Sequence, residues 1–223
     1  MKKITFILAL ILVCSHILLA QNPNENKKPR IALILSGGGA KGIAHIPVLQ
    51  MLDSLGIVPD LVVGNSMGSI VGGLYAMGYS GDSIAHIAKT ANWDNLIGGN
   101  VSLNNVSVEE KTEFGRYLIG MGAKDGKIKL TPFLLNDQNL RTFLADLTYP
   151  VYTNTNFDKL SIPFRAIATD IVNGKEVVLD KGGLAFAMRA SMSIPGAFIP
   201  VPYENTLLID GGVLNNFPVD VAK

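Results

Sequence analysis

The sequence predicts an α/β fold with a mostly parallel central sheet. Two stretches predict this class, because each has the pattern of an apolar strand, a glycine-rich turn and an amphipathic helix. The first runs from Ile31 to Gly56 and the second from Leu61 to Gly78. A helix between two strands returns the chain to the same end of the sheet, which favours parallel pairing. We therefore expect both turns at the carboxyl edge of one sheet.

Composition indicates a globular protein of one domain. The chain has 223 residues, of which 48% are hydrophobic and 17% charged, and this length is enough to bury a sizeable core. The formal net charge is +1, and no block of Lys or Arg stands out. Because binding to a phosphate backbone needs such a basic patch, we expect no nucleic-acid partner.

The first twenty residues are typical of a secretory signal peptide. Lys2 and Lys3 precede an apolar run from Ile4 to Ala20, and a polar stretch follows. We expect cleavage after Ala20, with an uncleaved membrane anchor as the alternative. The protein is therefore expected to be exported, to the periplasm, the outer membrane or the exterior.

Residues 21–30 are polar and carry two prolines, which predicts a linker, so the folded domain is expected over residues 31–223. The only cysteine, Cys14, lies inside the apolar leader. The exported chain would then have no disulfide and no cysteine-based metal site.

The second turn carries the motif Gly-x-Ser-x-Gly, as Gly-Asn-Ser-Met-Gly over residues 64–68. Such a turn between a strand and a helix holds its serine in strained dihedrals and presents the hydroxyl to a substrate. Gly64 and Gly68 are needed because the turn leaves no room for side chains. A chance match in a glycine-rich chain is the alternative, but the flanking strand and helix favour Ser66 as a nucleophile.

The first turn is the run Gly-Gly-Gly-Ala-Lys-Gly over residues 37–42, which also satisfies a dinucleotide fingerprint through Gly42. That site needs an acidic residue at the end of the second strand, and the strand ends on Gly-Asn-Ser instead. We predict an oxyanion hole formed by the N–H groups of Gly37, Gly38 and Gly39 with that of Met67, and no cofactor. The neighbouring lysine of the loop either contacts an anion or is simply solvated.

The remaining elements are predicted from periodicity and breaking residues. They are a helix over Asp82–Trp93, a helix over Leu134–Leu147, strands over Ser161–Asp170 and Glu176–Leu179, a helix over Leu184–Ala190, and a strand from Thr206 that ends at Asp210. Between Gly98 and Leu130 the pattern weakens, and we expect either a mobile cover over the site or plain surface loops.

Asp210 is the predicted base. A serine hydroxyl needs a base within about 3 Å, and no histidine follows Asp210 to complete a Ser-acid-His order. His45, one turn beyond the glycine loop, is expected to be a packed or surface imidazole. Asp210 ends an apolar strand, so it can meet Ser66 at one edge of the sheet, while Gly211 and Gly212 let the backbone leave. Plain turn formation is the alternative role for this aspartate.

Three motifs, in this order, resemble those of bacterial patatin-like phospholipases. They are the glycine run at 37–42, the Gly-x-Ser-x-Gly at 64–68 and the Asp-Gly-Gly at 210–212, and residues 190–198 are similar to the segment that usually precedes the aspartate. The resemblance covers Ile31 to the end. It implies a three-layer α/β/α fold, a Ser66–Asp210 dyad, no metal, and hydrolysis of acyl esters in phospholipids drawn from a membrane surface.

Similar domains continue well past the Asp-Gly-Gly motif, so we expect this domain to be incomplete at its C-terminal end. Members of the family also occur fused to outer-membrane modules, which is a further expectation for the region beyond Lys223. Two other functions stay open: a serine thioesterase or peptidase, and a non-catalytic exported module for binding or secretion with a degenerate site.

Overall fold

The computed structural model describes residues 29–97, 121–124, 127–130 and 137–223. The predicted leader, nearly all of the predicted linker and most of the segment expected to cover the site lie outside these residues. Within the described part, no helix combines the length and the apolar character needed to cross a membrane.

Six of the described strands form one sheet, and two more form a separate hairpin. The sheet strands are β1 (Ala32–Leu35), β2 (Leu61–Asn65), β5 (Phe164–Asp170), β6 (Lys175–Leu179), β7 (Val201–Tyr203) and β8 (Thr206–Asp210). The hairpin pairs β3 (Met121–Lys124) with β4 (Lys127–Leu130). These two short strands lie where the sequence pattern predicted no regular structure.

Strands β1, β2 and β5 form a parallel core in which Leu33 lies opposite Val62 and Val62 opposite Phe164. The other three strands are antiparallel to their neighbours: β6 and β8 both pair with β5, and β7 pairs with β8. The predicted α/β fold with a parallel core is confirmed, and the antiparallel strands extend the sheet.

The ends of β2 and β8 meet on one edge of β5. Strand β2 pairs with β5 up to Ile167, whereas β8 pairs with residues 168–170 and places Asp210 opposite Ala168. Strand β6 pairs with residues 166–170 along the other edge of β5. The sequence predicted that the strands carrying Ser66 and Asp210 can meet at one edge of the sheet. In the structure β8 runs opposite to β2, because it returns from β7 as a hairpin, and the two strands end head to head.

The described α-helices agree with the predicted ones to within a few residues, apart from one break. They are α1 (Ile46–Ser54), α2 (Met67–Ala76), α3 (Gly81–Thr90), α4 (Trp93–Ile97), α5 (Gln138–Thr148) and α6 (Leu184–Ser191). The single helix predicted over 82–93 ends at Thr90, because Ala91 turns to an extended conformation (φ −62°, ψ 134°), and α4 begins two residues later. The glycine run continues into a 3₁₀ helix, Gly39–His45.

Helix α2 lies against the sheet at the centre of the core. A Cβ atom at Gly72 would lie 2.9 Å from the Cγ1 atom of Val62, and one at Gly73 would collide with the side chain of Met188 on α6. All ten residues of α2 are buried. The two glycines therefore let the helix approach both the sheet and α6, as their low helix propensity had indicated.

Candidate active site

Ser66 occupies the turn between β2 and α2 in a strained conformation, with φ 52° and ψ −123°. Only one other described residue besides glycine has a positive φ. A Cβ atom at Gly64 would collide with the backbone of Gly68, and one at Gly68 with the carbonyl oxygen of Leu35. The motif glycines are thus required by close backbone approach, and the strain at Ser66 is held by packing on both sides.

Hydrogen bonds fix the backbone around this serine. Its N–H donates to the Ser191 hydroxyl at 2.9 Å, and its carbonyl oxygen accepts from the Ser69 hydroxyl at 2.7 Å. Because the Ser66 N–H is engaged, the first free N–H at the start of α2 is that of Met67, one of the donors that a helix leaves without an intrahelical partner.

Asp210 arrives beside this turn at the end of β8. The Gly212 N–H donates to its Oδ1 at 2.7 Å, and the Asp210 N–H donates to the Ser193 carbonyl oxygen at 2.9 Å. A Cβ atom at Gly211 would lie 2.5 Å from the carbonyl oxygen of Ile167, so the chain passes directly over β5. Asp210 is 8% exposed and Ser66 is 4% exposed.

Burial is the largest influence on the Asp210 carboxyl and raises its pKa above the ordinary value of 3.8. Hydrogen bonds from the Ser66 side chain, the Gly212 N–H and the Asn65 side chain lower the pKa without cancelling the effect of burial. No charged group among the described residues contributes to this shift. A carboxylate with only neutral donors around it is a stronger base than an exposed aspartate, and the hydroxyl of the elbow serine is one of the groups that lower its pKa.

A cavity of about 570 Å³ opens beside Ser66. Apart from Lys41 and Ser66, its described walls are apolar or backbone, which suits a hydrocarbon chain. The lining residues are Gly38, Gly39, Ala40, Lys41, Ile43, Ser66, Met67, Trp93, Ile97, Met192, Ile194, Ala197 and Phe198. They come from the glycine loop, the start of α2, α4 and the segment after α6.

The glycine loop divides into a cavity side and a packing side. Gly38 and Gly39 line the cavity with Met67, and Gly39 has a positive φ of 53°. Gly37 is not among the lining residues; a Cβ atom there would lie 2.6 Å from Asn216, 2.8 Å from Asn65 and 3.0 Å from the Cβ atom of Ser66. Of the predicted oxyanion donors, Gly38, Gly39 and Met67 line the cavity with Ser66, whereas Gly37 lies outside the lining and packs against Ser66, Asn65 and Asn216.

The remaining candidates have structural explanations or are exposed. The imidazole Nε2 of His45 lies 2.9 Å from the carbonyl oxygen of Ser36, as a packed histidine would. Lys41 is exposed at the rim of the cavity. Gly42 packs against Met67, since a Cβ atom would lie 2.5 Å from its Cγ. Among the described residues, no three His, Cys, Asp or Glu side chains are grouped so that they could hold a metal ion.

Two residues at the site were not singled out from the sequence. Asn65 is fully buried, and its Nδ2 donates to Asn216 Oδ1 at 3.0 Å, while Asn216 Nδ2 donates to the Gly37 carbonyl oxygen at 3.4 Å. The available signal was a polar residue at the end of the apolar run Leu-Val-Val-Gly-Asn, and an Asn-Asn pair shortly after Asp-Gly-Gly.

Known proteins share sequence and fold with this chain. A family model described as patatin-like phospholipase matches residues 33–223. An uncharacterized NTE family protein from Mycobacterium tuberculosis is 34% identical over 194 residues, which cover 87% of this chain and 46% of the relative. Lysophospholipase NTE1 from Cryptococcus neoformans is 31% identical over 194 residues, covering 87% of this chain and 10% of that protein.

Among solved structures, VipD from Legionella pneumophila superposes with a TM-score of 0.54 at 16% sequence identity. The match covers 86% of this chain and 47% of VipD, and at this identity it shows a shared fold. The chain thus spans less than half of the length of each relative described here.

Proposed function

Because the chain belongs to the patatin-like phospholipase family, we propose that it is an exported serine lipid acyl hydrolase of the phospholipase A type. The observation that carries this proposal is the strained Ser66 at the mouth of an apolar cavity, next to the buried Asp210 carboxyl, whose pKa the Ser66 side chain lowers. A dyad of this kind has the two groups that ester hydrolysis needs, an alcohol nucleophile and a base.

In the first step, Ser66 Oγ attacks the ester carbonyl carbon while Asp210 accepts the hydroxyl proton. The tetrahedral intermediate then expels the alcohol, which takes that proton from Asp210, and an acyl-serine remains. In the second step Asp210 takes a proton from water, the hydroxide adds to the acyl carbon, and the fatty acid leaves as Ser66 regains its proton. The raised pKa of Asp210 supports its role as a base, since the carboxylate binds a proton more readily than an exposed one.

The oxyanion would be held by the N–H groups of Gly38, Gly39 and Met67. These residues line the cavity with Ser66, and the Met67 N–H also lies at the positive end of the α2 dipole. Losing one such donor typically costs about 2.7–4 kcal/mol of transition-state stabilisation. Gly37, which packs against Ser66 and Asn216, would be the remaining donor of the predicted set.

The cavity favours a long acyl chain as the part of the substrate that binds. Its apolar walls offer no polar side chain besides Lys41 and Ser66 among the described residues. The name of the fungal relative, a lysophospholipase, supports phospholipid esters as the substrate class. The membrane surface would then be the source of the substrate.

The dyad is tested with Ser66→Ala and Asp210→Asn in the purified protein. Each is expected to abolish hydrolysis of a phospholipid ester while circular dichroism and the melting temperature show an intact fold. Ser54→Ala and Asp180→Asn are matched controls, because both wild-type side chains are exposed and lie outside the site. Turnover retained in Ser66→Ala would refute the mechanism.

Two measurements distinguish the proposed lipid hydrolase from a thioesterase or peptidase and from a non-catalytic module. Covalent labelling of Ser66 by a fluorophosphonate, absent in Ser66→Ala, is expected for any serine enzyme and excludes a degenerate binding or secretion module. Relative kcat/KM on acyl esters, acyl thioesters and peptides then distinguishes a lipase from a thioesterase or peptidase. Faster cleavage of thioesters or peptides than of esters would replace the proposed substrate class.

Export is proposed from the leader alone. Two lysines followed by seventeen residues from Ile4 to Ala20 have the composition of a signal peptide. N-terminal sequencing of the protein recovered from a cell envelope fraction is expected to start at Gln21. A protein that still begins at Met1 would favour the uncleaved anchor, and recovery in the cytosol would refute export.

A further inference from the structure

Asn65 is placed between the two proposed catalytic groups. It ends β2, immediately before Ser66, and none of its surface is exposed. Its amide nitrogen donates to Asn216 Oδ1 at 3.0 Å, and its side chain lowers the pKa of the Asp210 carboxyl. One NH₂ group has two hydrogens, so donation to Asn216 leaves a second hydrogen for the carboxylate.

Asn216 connects this amide to the glycine loop. Its Oδ1 accepts from Asn65, and its own NH₂ donates to the Gly37 carbonyl oxygen at 3.4 Å. The elbow and the glycine loop are therefore joined through Asn216, and the amide of Asn65 lies beside the Asp-Gly-Gly turn.

Two glycines enclose the pair of amides. A Cβ atom at Gly212 would lie 2.8 Å from Asn216 Oδ1, 3.0 Å from Asn65 Nδ2 and 3.0 Å from Asp210 Oδ1. A Cβ atom at Gly37 would lie 2.6 Å from Asn216 Oδ1 and 2.8 Å from Asn65 Nδ2. The amides therefore fill the space between the loop and the turn, with no room for a methyl group on either side.

The orientation of Asn65 is set by its acceptors. Its Oδ1 is buried and has no hydrogen-bond partner among the described residues. Turning the amide over would direct Oδ1 at the Asp210 carboxylate and at Asn216 Oδ1, which are both acceptors. A buried oxygen without a donor is unfavourable, so this orientation is retained for what the NH₂ group does.

We propose that Asn65 and Asn216 are positioning residues. They hold the Asp210 carboxylate, the Ser66 turn and the glycine loop in fixed positions relative to one another. This inference rests on the proposed hydrolase function. Neither side chain lines the described cavity, so both act through the catalytic groups rather than on the substrate.

The effect on Asp210 has a direction. A donor to a carboxylate favours its charged form, so loss of the Asn65 amide raises the pKa of Asp210 further. The charged groups on neighbouring elements have other partners: Arg189 on α6 binds Asp137, and Asp170 on β5 accepts from Asn173 and Thr206. No cation near Asp210 in the described part therefore replaces the missing donor.

The test compares Asn65→Leu and Asn216→Ala with Asn215→Ala as the matched control. Asn215 is the neighbouring residue, and its amide binds Asp220 instead. Because misplacement by about 1 Å can cost 100-fold, Asn65→Leu is expected to lower kcat about 100-fold and Asn216→Ala about 10-fold, with KM within about twofold of wild type. Asn215→Ala should match wild type. The acid limb of kcat/KM should move to higher pH in Asn65→Leu and little in Asn216→Ala.

A double variant and an NMR titration complete the test. If the amides act as a unit, Asn65→Leu/Asn216→Ala loses no more than the worse single variant. Titration of the Asp210 carboxyl carbon by NMR reports the Asn65 contact without turnover and should give a higher pKa in Asn65→Leu. If Asn65→Leu does not fold, Asn216→Ala still tests the proposal, because Asn216 is exposed. A lower kcat with an unchanged KM would support the positioning role.

Failure of the positioning role can be distinguished from failure of the proposed hydrolase function. A wild-type protein without Ser66-dependent hydrolysis would refute the hydrolase, and the NMR titration would still support or overturn the contact. Unchanged kcat in both variants, or losses in Asn215→Ala equal to those in Asn216→Ala, would overturn the positioning role in an active enzyme.

Discussion

Two carboxylates in this molecule, Asp210 and Asp137, are buried to a similar extent and stabilised in opposite ways. Asp137, just before α5, is 5% exposed and Asp210 is 8% exposed. Asp137 Oδ2 lies 2.5 Å from Nη2 of Arg189 and 2.9 Å from Nε of Arg141. Burial by itself would raise the pKa of Asp137, but the two arginines together outweigh it and hold the pKa below 3.8. Asp210 has only neutral donors, and its pKa is raised.

The difference shows how the partner, together with burial, gives a carboxylate its role. Arg189 also donates to the hydroxyl of Ser193 and lies 4.9 Å above the ring centre of Phe198. The Ser193 carbonyl oxygen in turn accepts the Asp210 N–H. The ion pair therefore fixes the segment on which Asp210 rests, while Asp210 keeps a proton affinity that chemistry can use.

The largest expected effect is on activity at Asp210. Asp210→Asn keeps the shape of the side chain and removes the base, so kcat should fall by about 1,000-fold or more. Stability at pH 7 should be unchanged or higher, because the variant no longer buries a charge without a cation. Steady-state kinetics and urea unfolding measure the two quantities. A large loss of stability would show that the charge of Asp210 is structural.

At Asp137 we expect a large loss of stability and a small change in activity. Asp137→Ala leaves the Arg189 guanidinium buried without its carboxylate, which should lower the free energy of unfolding by about 3–5 kcal/mol. The kcat of the folded protein should change much less than in Asp210→Asn. Replacing both partners, as in Asp137→Leu with Arg189→Met, should recover much of the loss in urea unfolding. If the double variant is as unstable as the single one, the pairing is not what stabilises this region.

A smaller loss of activity is expected when a methyl group is added at Gly212, and Gly183 offers the comparison. Gly212→Ala introduces a methyl group against Asn216, Asn65 and Asp210, and should lower kcat by about 10- to 100-fold through displacement of the base. Gly183→Ala, at the start of α6, is the control, since the nearest atom to its Cβ would lie 3.7 Å away on Phe186. Its kcat and stability should match wild type. Equal effects of both substitutions would argue against tight packing at the Asp-Gly-Gly turn.

The smallest expected effect is the dependence of stability on pH. Asp137, with a folded pKa below 3.8, contributes stability above that pH and loses it as the pH falls through its folded pKa. Asp210, with a folded pKa above 3.8, has the opposite sign, so stability falls as the pH rises from 3.8 through its folded pKa.

Urea unfolding between pH 3 and 7 separates these two contributions. The difference between wild type and Asp137→Asn should shrink below pH 3.8, and the difference between wild type and Asp210→Asn should turn in favour of the variant above it. The acid limb of kcat/KM should also lie above 3.8. Parallel curves for the two variants would contradict the opposite signs.

Local patterns predicted most of the elements because they act over short distances. The run from Leu61 to Gly68 predicts a strand, a sharp turn and a helix, since the glycines are needed wherever backbone passes backbone. Gly56 ends α1 with φ 65°, and the Ile57 N–H bonds the Leu52 carbonyl oxygen, which is the helix end that a glycine favours. The hairpin β3–β4 was missed because strands of four residues leave little periodicity to recognise.

By itself, then, the sequence determined the α/β class, the turn that carries Ser66, the strand that ends at Asp210 and the family to which these motifs belong. Tertiary structure decided the direction of β8, the partners of each buried carboxylate and the pair Asn65–Asn216, whose members are 151 residues apart. The physical reason is the distance along the chain over which each interaction acts. Propensity, periodicity and turn chemistry depend on neighbours along the chain, whereas desolvation and hydrogen bonding depend on whichever side chains the finished packing brings together.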